Sequence, residues 1–251
     1  MQNKIKAAPT VIYPESDGKP MAETESHRDI MIDFIQMLKH YFRNTNDVHV
    51  SGNLLMYYEE GNPRKSVSPD VFVAFGVSKK RRRTYKIWEE GHAPDFVLEV
   101  ASPSTYRHDL TRKKDLYASV LGVREYYIYD PYHEVNPYFL GYRLMDGVYQ
   151  EIEFVDGRLP SVVLGLELGE RDGVFGLYDP SRSVWLQPLE EQVKQAALAQ
   201  QRADARAERA DARAERAAQA QQQEAQARQR TESELAKTLA ALERLQQKTD
   251  V

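Results

Sequence analysis

The stretch Pro94-Asp95-Phe96-Val97-Leu98-Glu99-Val100, followed by Ala101-Ser102-Pro103-Ser104-Thr105, decides how the chain is interpreted. Apolar residues surround Glu99 on both sides, which predicts a strand buried on both faces and bounded by prolines. A carboxylate in the middle of such a strand costs several kcal/mol unless a cation, a metal ion or hydrogen bonds compensate it. Glu99 is therefore a candidate functional residue.

A second acidic residue precedes a similar strand, because Ser68-Pro69-Asp70 leads into the apolar run 71–75. Two carboxylates from neighbouring strands, with lysines shortly afterwards, provide what a metal-dependent phosphodiesterase needs. Each residue alone also has a structural interpretation. Asp70 could be a turn residue, Glu99 could pair with a buried Arg or Lys, and Lys113 could be a solvated helix charge. Their order and spacing together favour a metal site.

The composition limits the class of protein. The chain has 251 residues, 41% of them hydrophobic, no cysteine and a net charge of −4. This length allows one domain and an appendage, and the lack of cysteine excludes disulfides and thiolate metal sites. A leader peptide and an apolar run of eighteen residues are both missing, so we expect a soluble, cytoplasmic protein without membrane contact. The negative net charge means that a nucleic acid would have to meet a local basic patch.

Periodicity and turn residues predict a mixed α/β or α+β fold. The predicted elements, in chain order, are a helix from Ser26, a strand pair formed by 48–50 and 54–58, a strand at 71–75, the Glu99 strand, a helix from Asp109 to Leu121 that Gly122 ends, a strand at 124–130 that Pro131 ends, and a hairpin of 138–144 with 148–154 across Asp146-Gly147. Short apolar pieces such as 162–164 and Trp185-Leu186 complete the globular part.

From Leu189 onward the chain consists largely of Ala, Gln, Arg and Glu, without glycine, proline or aromatic residues. The seven residues 202–208 recur unchanged at 209–215, and an Ala/Leu seam at heptad spacing predicts one long helix. This helix could form a coiled coil or remain an isolated, solvated helix, and we favour self-association. The predicted organisation is therefore an N-terminal arm (1–20), a globular domain (21–187) and a helical extension (188–251).

The motifs together resemble a known family. The sequence around Ser68-Pro69-Asp70, the stretch 94–105, Asp109-Leu110 with Lys113 and Tyr117, and Gly122-Val123-Arg124-Glu125-Tyr126-Tyr127 look like the Uma family of putative restriction endonucleases, over roughly residues 20–185. That family belongs to the PD-(D/E)XK nuclease superfamily. The resemblance implies a restriction-endonuclease-like αβββαβ core with a mixed sheet. It also implies cleavage of DNA that depends on a divalent metal, Mg²⁺, with Mn²⁺ as a substitute.

The resemblance also implies roles for individual residues. Asp70, Glu99 and the backbone carbonyl of Val100 would hold the metal. The position where the superfamily has a lysine is Ala101, so the lysine role is assigned to Lys113 on the following helix. The side chains of Lys113 and Lys114 point about 100° apart on a helix, so only one of them can face the site easily. Lys113 is preferred because it lies on the same side of the helix as Asp109, Leu116 and Tyr117.

Three acidic or histidine positions are accessory candidates. His27 matches a histidine at the start of the family's first helix and Glu25 is the nearest acid, so either could be an outer ligand. Asp95 shares a strand face with Glu99, and it could line the site or only cap the strand.

The densest run of positive charge is Lys79, Lys80, Arg81, Arg82 and Arg83, here called the basic loop. Because the loop connects the two acidic strands, we predict that it lies at or near the same end of the sheet. It could grip the DNA backbone or simply keep the loop soluble.

Two classes of function follow from these observations. The first is a Mg²⁺-dependent DNA endonuclease, with catalytic residues Asp70, Glu99 and Lys113, which forms a homodimer or higher oligomer through its C-terminal helix. The alternative is a catalytically inactive nuclease-fold protein that binds nucleic acid or acts as a scaffold through the same helix. A nuclease specific for a DNA structure or for RNA is a third, weaker hypothesis.

Overall fold

The structure of the protein, a computed structural model, describes residues 11–16, 18 and 24–249, with side chains in the last helix described up to residue 240. Most of the predicted N-terminal arm therefore lies outside the described residues. The chain divides into two units between Leu189 and Glu190.

Thirteen strands form three sheets within the described residues. In chain order they are β1 (Val48–Ser51), β2 (Met56–Tyr57), β3 (Ser66–Val67), β4 (Val71–Phe75), β5 (Tyr85–Lys86), β6 (Phe96–Val100), β7 (Glu125–Tyr129), β8 (Phe139–Met145), β9 (Val148–Glu151), β10 (Arg158–Ser161), β11 (Leu166–Arg171), β12 (Val174–Asp179) and β13 (Val184–Trp185). The main sheet has the order β1-β4-β6-β7-β8-β9, and only the β6–β7 pair in it is parallel.

The helices are α1 (Glu25–Tyr41), α2 (Ile87–Glu90), α3 (Tyr106–His108) and α4 (Leu189–Thr249). Helix α3 continues into two π-helical stretches, Asp109–Lys113 and Leu116–Leu121, and Gly122 ends the segment in the left-handed conformation. The helix predicted from Asp109 to Leu121 is therefore present, with wider turns than an α-helix. Helix α1, strands β1, β4 and β6, the helical segment 106–121 and strand β7 give the predicted αβββαβ order.

Two hydrophobic cores cover the two faces of the main sheet. On one face α1 and the second sheet, β10-β11-β12-β13, bury Phe34, Val73 and Leu168. On the other face the helical segment 106–121 and the small sheet β3-β2-β5 bury Phe72 and Tyr117. Alternate residues of β4 therefore enter different cores, as the pleat of a strand requires. This double coverage explains why β4 and β6 are apolar along almost their whole length.

One predicted pairing is wrong and another is confirmed. Strands β1 and β2 do not pair with each other, because β1 pairs with β4 while β2 belongs to the small sheet. The chain between them follows Pro69 and Asp70 closely: the Asn53 N–H donates to the Pro69 carbonyl, at 2.8 Å. The hairpin of β8 and β9 is confirmed, and Asp146 and Gly147 both have positive φ, as a two-residue turn between strands demands.

The second unit is helix α4, which confirms the prediction of one long helix. Its described side chains are exposed almost throughout, and pairs four residues apart, such as Glu224 with Arg228 at 2.7 Å, support it locally. Among the described helices, none combines the length and the apolar character that crossing a bilayer requires.

Candidate active site

The register of the central strands brings Asp70 and Glu99 together. Strands β4 and β6 are antiparallel and Val71 faces Leu98, so Asp70, just before β4, lies beside Glu99 on β6. The Asp70 N–H lies 3.4 Å from Glu99 Oε2, and the Val100 N–H donates to Asp70 Oδ2 at 2.8 Å. Two carboxylates separated widely in the sequence therefore share one end of the sheet.

Glu99 is completely buried and holds two side-chain partners. The Tyr117 hydroxyl donates to Glu99 Oε1 at 2.6 Å, and Lys113 Nζ lies 2.9 Å from Oε2. Burial raises the pKa of Glu99 to about 8; the charge of Lys113 opposes this rise, and the charges of Asp70 and Asp109 add to it. In the metal-free protein the protonated form of Glu99 is therefore favoured near neutral pH, and a bound cation would favour the charged form.

Lys113 bridges two buried carboxylates. Its Nζ lies 2.9 Å from Glu99 Oε2 and 3.0 Å from Asp109 Oδ1. Burial alone would lower the pKa of Lys113, but the charges of Glu99 and Asp109 outweigh burial and raise it above its usual range. The neighbouring Lys114 is directed elsewhere, with its Nζ 3.6 Å from the centre of the Tyr142 ring. Of the two lysines, only Lys113 reaches the carboxylates.

Asp70 faces an open pocket of about 600 Å³, here called the acidic pocket. Its lining includes His27, Val100, Asp109 and Lys113, together with a run of residues rich in hydroxyl groups, 102–105. His27 Nε2 lies 3.4 Å from Asp70 Oδ1. Burial would raise the pKa of Asp70, but the hydrogen bond from His27 and the charge of Lys113 keep the pKa below its usual value. Asp70 is therefore ionised near neutral pH.

The donor set fits a magnesium ion. Asp70, Glu99 and Asp109 face one lysine ammonium, so ionisation of all three carboxyl groups would leave negative charge in excess for a cation to neutralise. Carboxylate oxygens are the ligands that Mg²⁺ prefers. The described residues contain no group of three or more acidic, histidine or cysteine side chains placed to hold a metal. Mg²⁺ does not need such a cage, since it is commonly held by one or two carboxylates, with water and substrate phosphates as the other ligands.

Comparison with protein families decides the assignment. The family described as Uma2, putative restriction endonuclease, matches residues 7–171. The chain belongs to the Uma2 family.

The solved structures that this Uma2 chain resembles include a nuclease-like protein. It is a putative nuclease belonging to DUF820 from Anabaena variabilis ATCC 29413, at 16% sequence identity and a TM-score of 0.43; the match covers 58% of this chain and 76% of that chain. No curated protein matches the chain.

Two accessory candidates lie away from the acidic pocket in this Uma2 protein. Asp95 is at the opposite end of β6, where its Oδ2 accepts the Phe75 N–H at 2.9 Å and its Oδ1 is 3.6 Å from Arg124. Asp95 shares a strand face with Glu99, but the length of β6 separates the two carboxylates, so Asp95 caps the strand ends and does not line the site. Glu25, the first residue of α1, is exposed and is not part of the pocket lining.

The predicted position of the basic loop is wrong. The loop follows the C-terminal end of β4, whereas Asp70 precedes its N-terminal end, so loop and acidic site are at opposite ends of the strand. Lys79 Nζ donates to the carbonyls of Phe42 and Arg43 just beyond the end of α1, at 2.7 and 3.0 Å. A connection between two antiparallel strands must span only one end of the sheet, and this end is the one that Asp70 and Glu99 do not occupy.

Sequence reasoning placed Asp109 and Tyr117 on the same side of the helix as Lys113 but gave neither of them a role in the site. Both lie on the π-helical segment with Lys113, at intervals of four residues. Residues four positions apart lie on one face of a helix, so the three side chains project together. This spacing is visible in the sequence, but an aspartate at a helix start and a tyrosine in an apolar stripe both have ordinary structural explanations.

Proposed function

We propose that the protein is a Mg²⁺-dependent endonuclease that hydrolyses phosphodiester bonds of DNA. The observation that carries the proposal is the pair of adjacent carboxylates, Asp70 and Glu99, with Lys113 Nζ 2.9 Å from Glu99. Asp70 and Glu99 would hold the ion, with the Val100 carbonyl as a further ligand. Mg²⁺, when bound, neutralises phosphate charge and lowers the pKa of a coordinated water.

The surrounding residues have separate tasks in this proposal. The Lys113 ammonium stabilises the negative charge that develops on the phosphate, because its charge is held in a largely water-free position. Tyr117 and Asp109 act as positioning residues: the first orients Glu99 and the second holds Lys113. The hydroxyl groups of residues 102–105 line the pocket and are available to donate to phosphate oxygens.

Two further elements of the proposal concern partners. The basic loop would contact DNA backbone at a distance from the acidic site of about 25 Å, the length of a helix such as α1. Helix α4 would join two or more copies through its Ala/Leu seam, and two copies would supply one active site for each DNA strand. We place this activity in the cytoplasm, because the lack of cysteine fits a reducing compartment.

The test is plasmid cleavage by the full chain with Mg²⁺, with Mn²⁺ and with a chelator. We expect cleavage only with metal, and a loss of at least about 100-fold in Asp70→Asn and in Glu99→Gln, since each change removes a ligand. Asp95→Asn is the matched control, because it removes an acid from the far end of the Glu99 strand; it should retain activity within a few-fold. Equal cleavage by all three variants would refute the assignment of the site.

A second candidate function is nucleic-acid binding without cleavage. The observation that favours it is Ala101, at the position where the superfamily pattern has a lysine. Binding of DNA without cleavage by the wild-type chain under all metal conditions would favour this candidate. Cleavage of RNA or of branched DNA, with plasmid left intact, would show that the proposed substrate is wrong, while the assignment of the active site would stand.

A further inference from the structure

A second pocket, of about 500 Å³, opens along the free edge of strand β1. It lies at the end of α1 opposite to His27 and the acidic pocket. We call it the basic pocket, because its lining includes Lys39, Arg43, Lys80, Arg81 and Arg82. The only acid in direct contact with these cations in the described part of the chain is Glu90, which is 3.2 Å from Lys80 and 2.6 Å from Arg82.

Some of these cations have structural tasks and others do not. Arg82 is almost completely buried and forms the close pair with Glu90. Lys39 and Arg81 are exposed, and neither forms an ion pair with any described residue. The rim of the basic pocket therefore carries positive charge that the described protein does not neutralise.

Two buried donors within the lining also lack acceptors. The Arg82 guanidinium can only donate, so His49 Nδ1, 3.2 Å from Arg82 Nη1, must accept, and the proton of a neutral His49 is then on Nε2. Burial, together with the charges of Arg82 and Lys39, lowers the pKa of His49 to about 4, so the ring is neutral at pH 7. Neither His49 Nε2 nor Arg82 Nε has a hydrogen-bond partner among the described residues, although both are buried.

Apolar side chains complete the lining. Phe42 and Leu54 lie in the same pocket as the cations, together with Val48 and Val50 of the edge strand. Inorganic ions need no apolar wall, whereas an organic phosphate has both a charged group and a less polar body. The volume of the pocket is within the range of pockets that bind small organic ligands.

We propose that the basic pocket binds a nucleotide, with its phosphoryl group held by the cationic rim and its base against Phe42 and Leu54. This site is separate from the acidic pocket and does not depend on the proposed nuclease activity. The phosphoryl group could belong to a free nucleotide or to the phosphorylated end of a nucleic-acid strand, since both present the same chemistry.

The test is calorimetric titration of the full chain with deoxyadenosine 5′-monophosphate in a chelating buffer, with deoxyadenosine as the ligand without phosphate. We expect saturable binding of the nucleotide and at least about tenfold weaker binding of the nucleoside, because charge-assisted hydrogen bonds are lost. The double variant Lys39→Gln/Arg81→Gln should weaken nucleotide binding by at least about tenfold. The control Arg64→Gln/Lys65→Gln makes the same change of charge at an exposed loop and should bind within about twofold of wild type.

Equal weakening by the two double variants would overturn the proposal. So would loss of nucleotide binding in Asp70→Asn, which would move the ligand to the acidic pocket. Absence of binding by wild type at millimolar nucleotide would also overturn it. Competition by a short single strand with and without a 5′-phosphate then identifies the source. Stronger competition by the phosphorylated strand indicates a strand end, and equal, weak competition indicates a free nucleotide.

Discussion

The balance of acidic and basic side chains differs between the two ends of helix α1. At the end near His27, three carboxylates face the single ammonium of Lys113, and the pKa of buried Glu99 rises to about 8. At the other end, two cations, Arg82 and Lys80, hold the single carboxylate of Glu90, and the hydrogen bond from Arg82 lowers its pKa to about 2.

The difference shows how a structural ion pair can be told from a binding site. The charge of Glu90 is fully neutralised by cations of the protein itself, and its pair with Arg82 stabilises the loop between β4 and β5. Glu99 accepts a hydrogen bond from the Tyr117 hydroxyl and shares the Lys113 ammonium with Asp109, so the repulsion from its acidic neighbours is not fully offset. A buried acid with too little internal compensation is a candidate for an external cation.

The largest expected effect comes from removing the cation at each end. Lys113→Met leaves Glu99 and Asp109 without their ammonium, and Arg82→Met leaves Glu90 without its closest partner. Breaking a buried pair on one side typically costs about 3–5 kcal/mol, so both variants should unfold at lower urea concentration. Only Lys113→Met should also abolish metal-dependent cleavage by folded protein at low temperature.

Lys114→Met is the control for this comparison, because Lys114 contacts the Tyr142 ring and no acid of the site. It should change the free energy of unfolding by only about 1 kcal/mol, the value of a partly buried cation–π contact. If Arg82→Met removed cleavage from the folded protein as thoroughly as Lys113→Met, the assignment of a purely structural role to the Arg82–Glu90 pair would be wrong.

A smaller effect should follow from crowding the backbone beside Asp70. A Cβ on Gly52 would overlap the Asp70 carbonyl oxygen, which is backbone and cannot move without shifting the start of β4. We expect Gly52→Ala to destabilise the protein by about 1–3 kcal/mol, as overpacking does, and to reduce cleavage. Urea denaturation and plasmid cleavage measure the two effects.

Gly176→Ala provides the matched control, since its Cβ would only reach ordinary contact with the Trp185 ring, at 3.6 Å. Full activity in Gly52→Ala, with unchanged stability, would show that the position of Asp70 does not depend on this close approach.

Much of the acidic end could be predicted from sequence, and the basic end could not. Glu99 and Asp70 stand out because a carboxylate within or beside an apolar strand violates the usual pattern, and strand register then brings them together. From the sequence, only the charge of the basic loop could be inferred. Lys79 binds the end of α1 and Arg82 is buried because of contacts with residues more than thirty positions away in the chain, such as Phe42 and His49. Charge density alone did not reveal which cations are structural.

The four-stranded sheet β10–β13 could not be predicted from the sequence patterns either. Its strands alternate buried and half-exposed residues over short lengths, and Pro160 lies within one of them. The pairing of β1 with β4, instead of with β2, likewise depends on the close approach of Gly52 to Asp70, which local turn residues do not encode.

A further expected effect is in the pH dependence of stability of the metal-free protein. The pKa of Glu99 is raised by folding from its usual value near 4.5 to about 8, so between these values the folded state binds more protons than the unfolded state. The free energy of unfolding should therefore decrease as pH rises from about 5 to about 8. Glu99→Gln removes this contribution, so its stability relative to wild type should increase over the same range by at least about 1 kcal/mol.

Glu90→Gln tests the opposite sign at the other end of the helix. Because folding lowers the pKa of Glu90 to about 2, its stabilising contribution is present above about pH 4.5 and is lost as the pH falls towards 2. The difference between Glu90→Gln and wild type should therefore shrink on acidification and stay constant from pH 5 to 8, where the Glu99→Gln difference grows. Urea denaturation in a chelating buffer at several pH values gives both differences. A constant Glu99→Gln difference would mean that Lys113 already compensates Glu99 in full, and the argument for an external cation would lose its electrostatic basis.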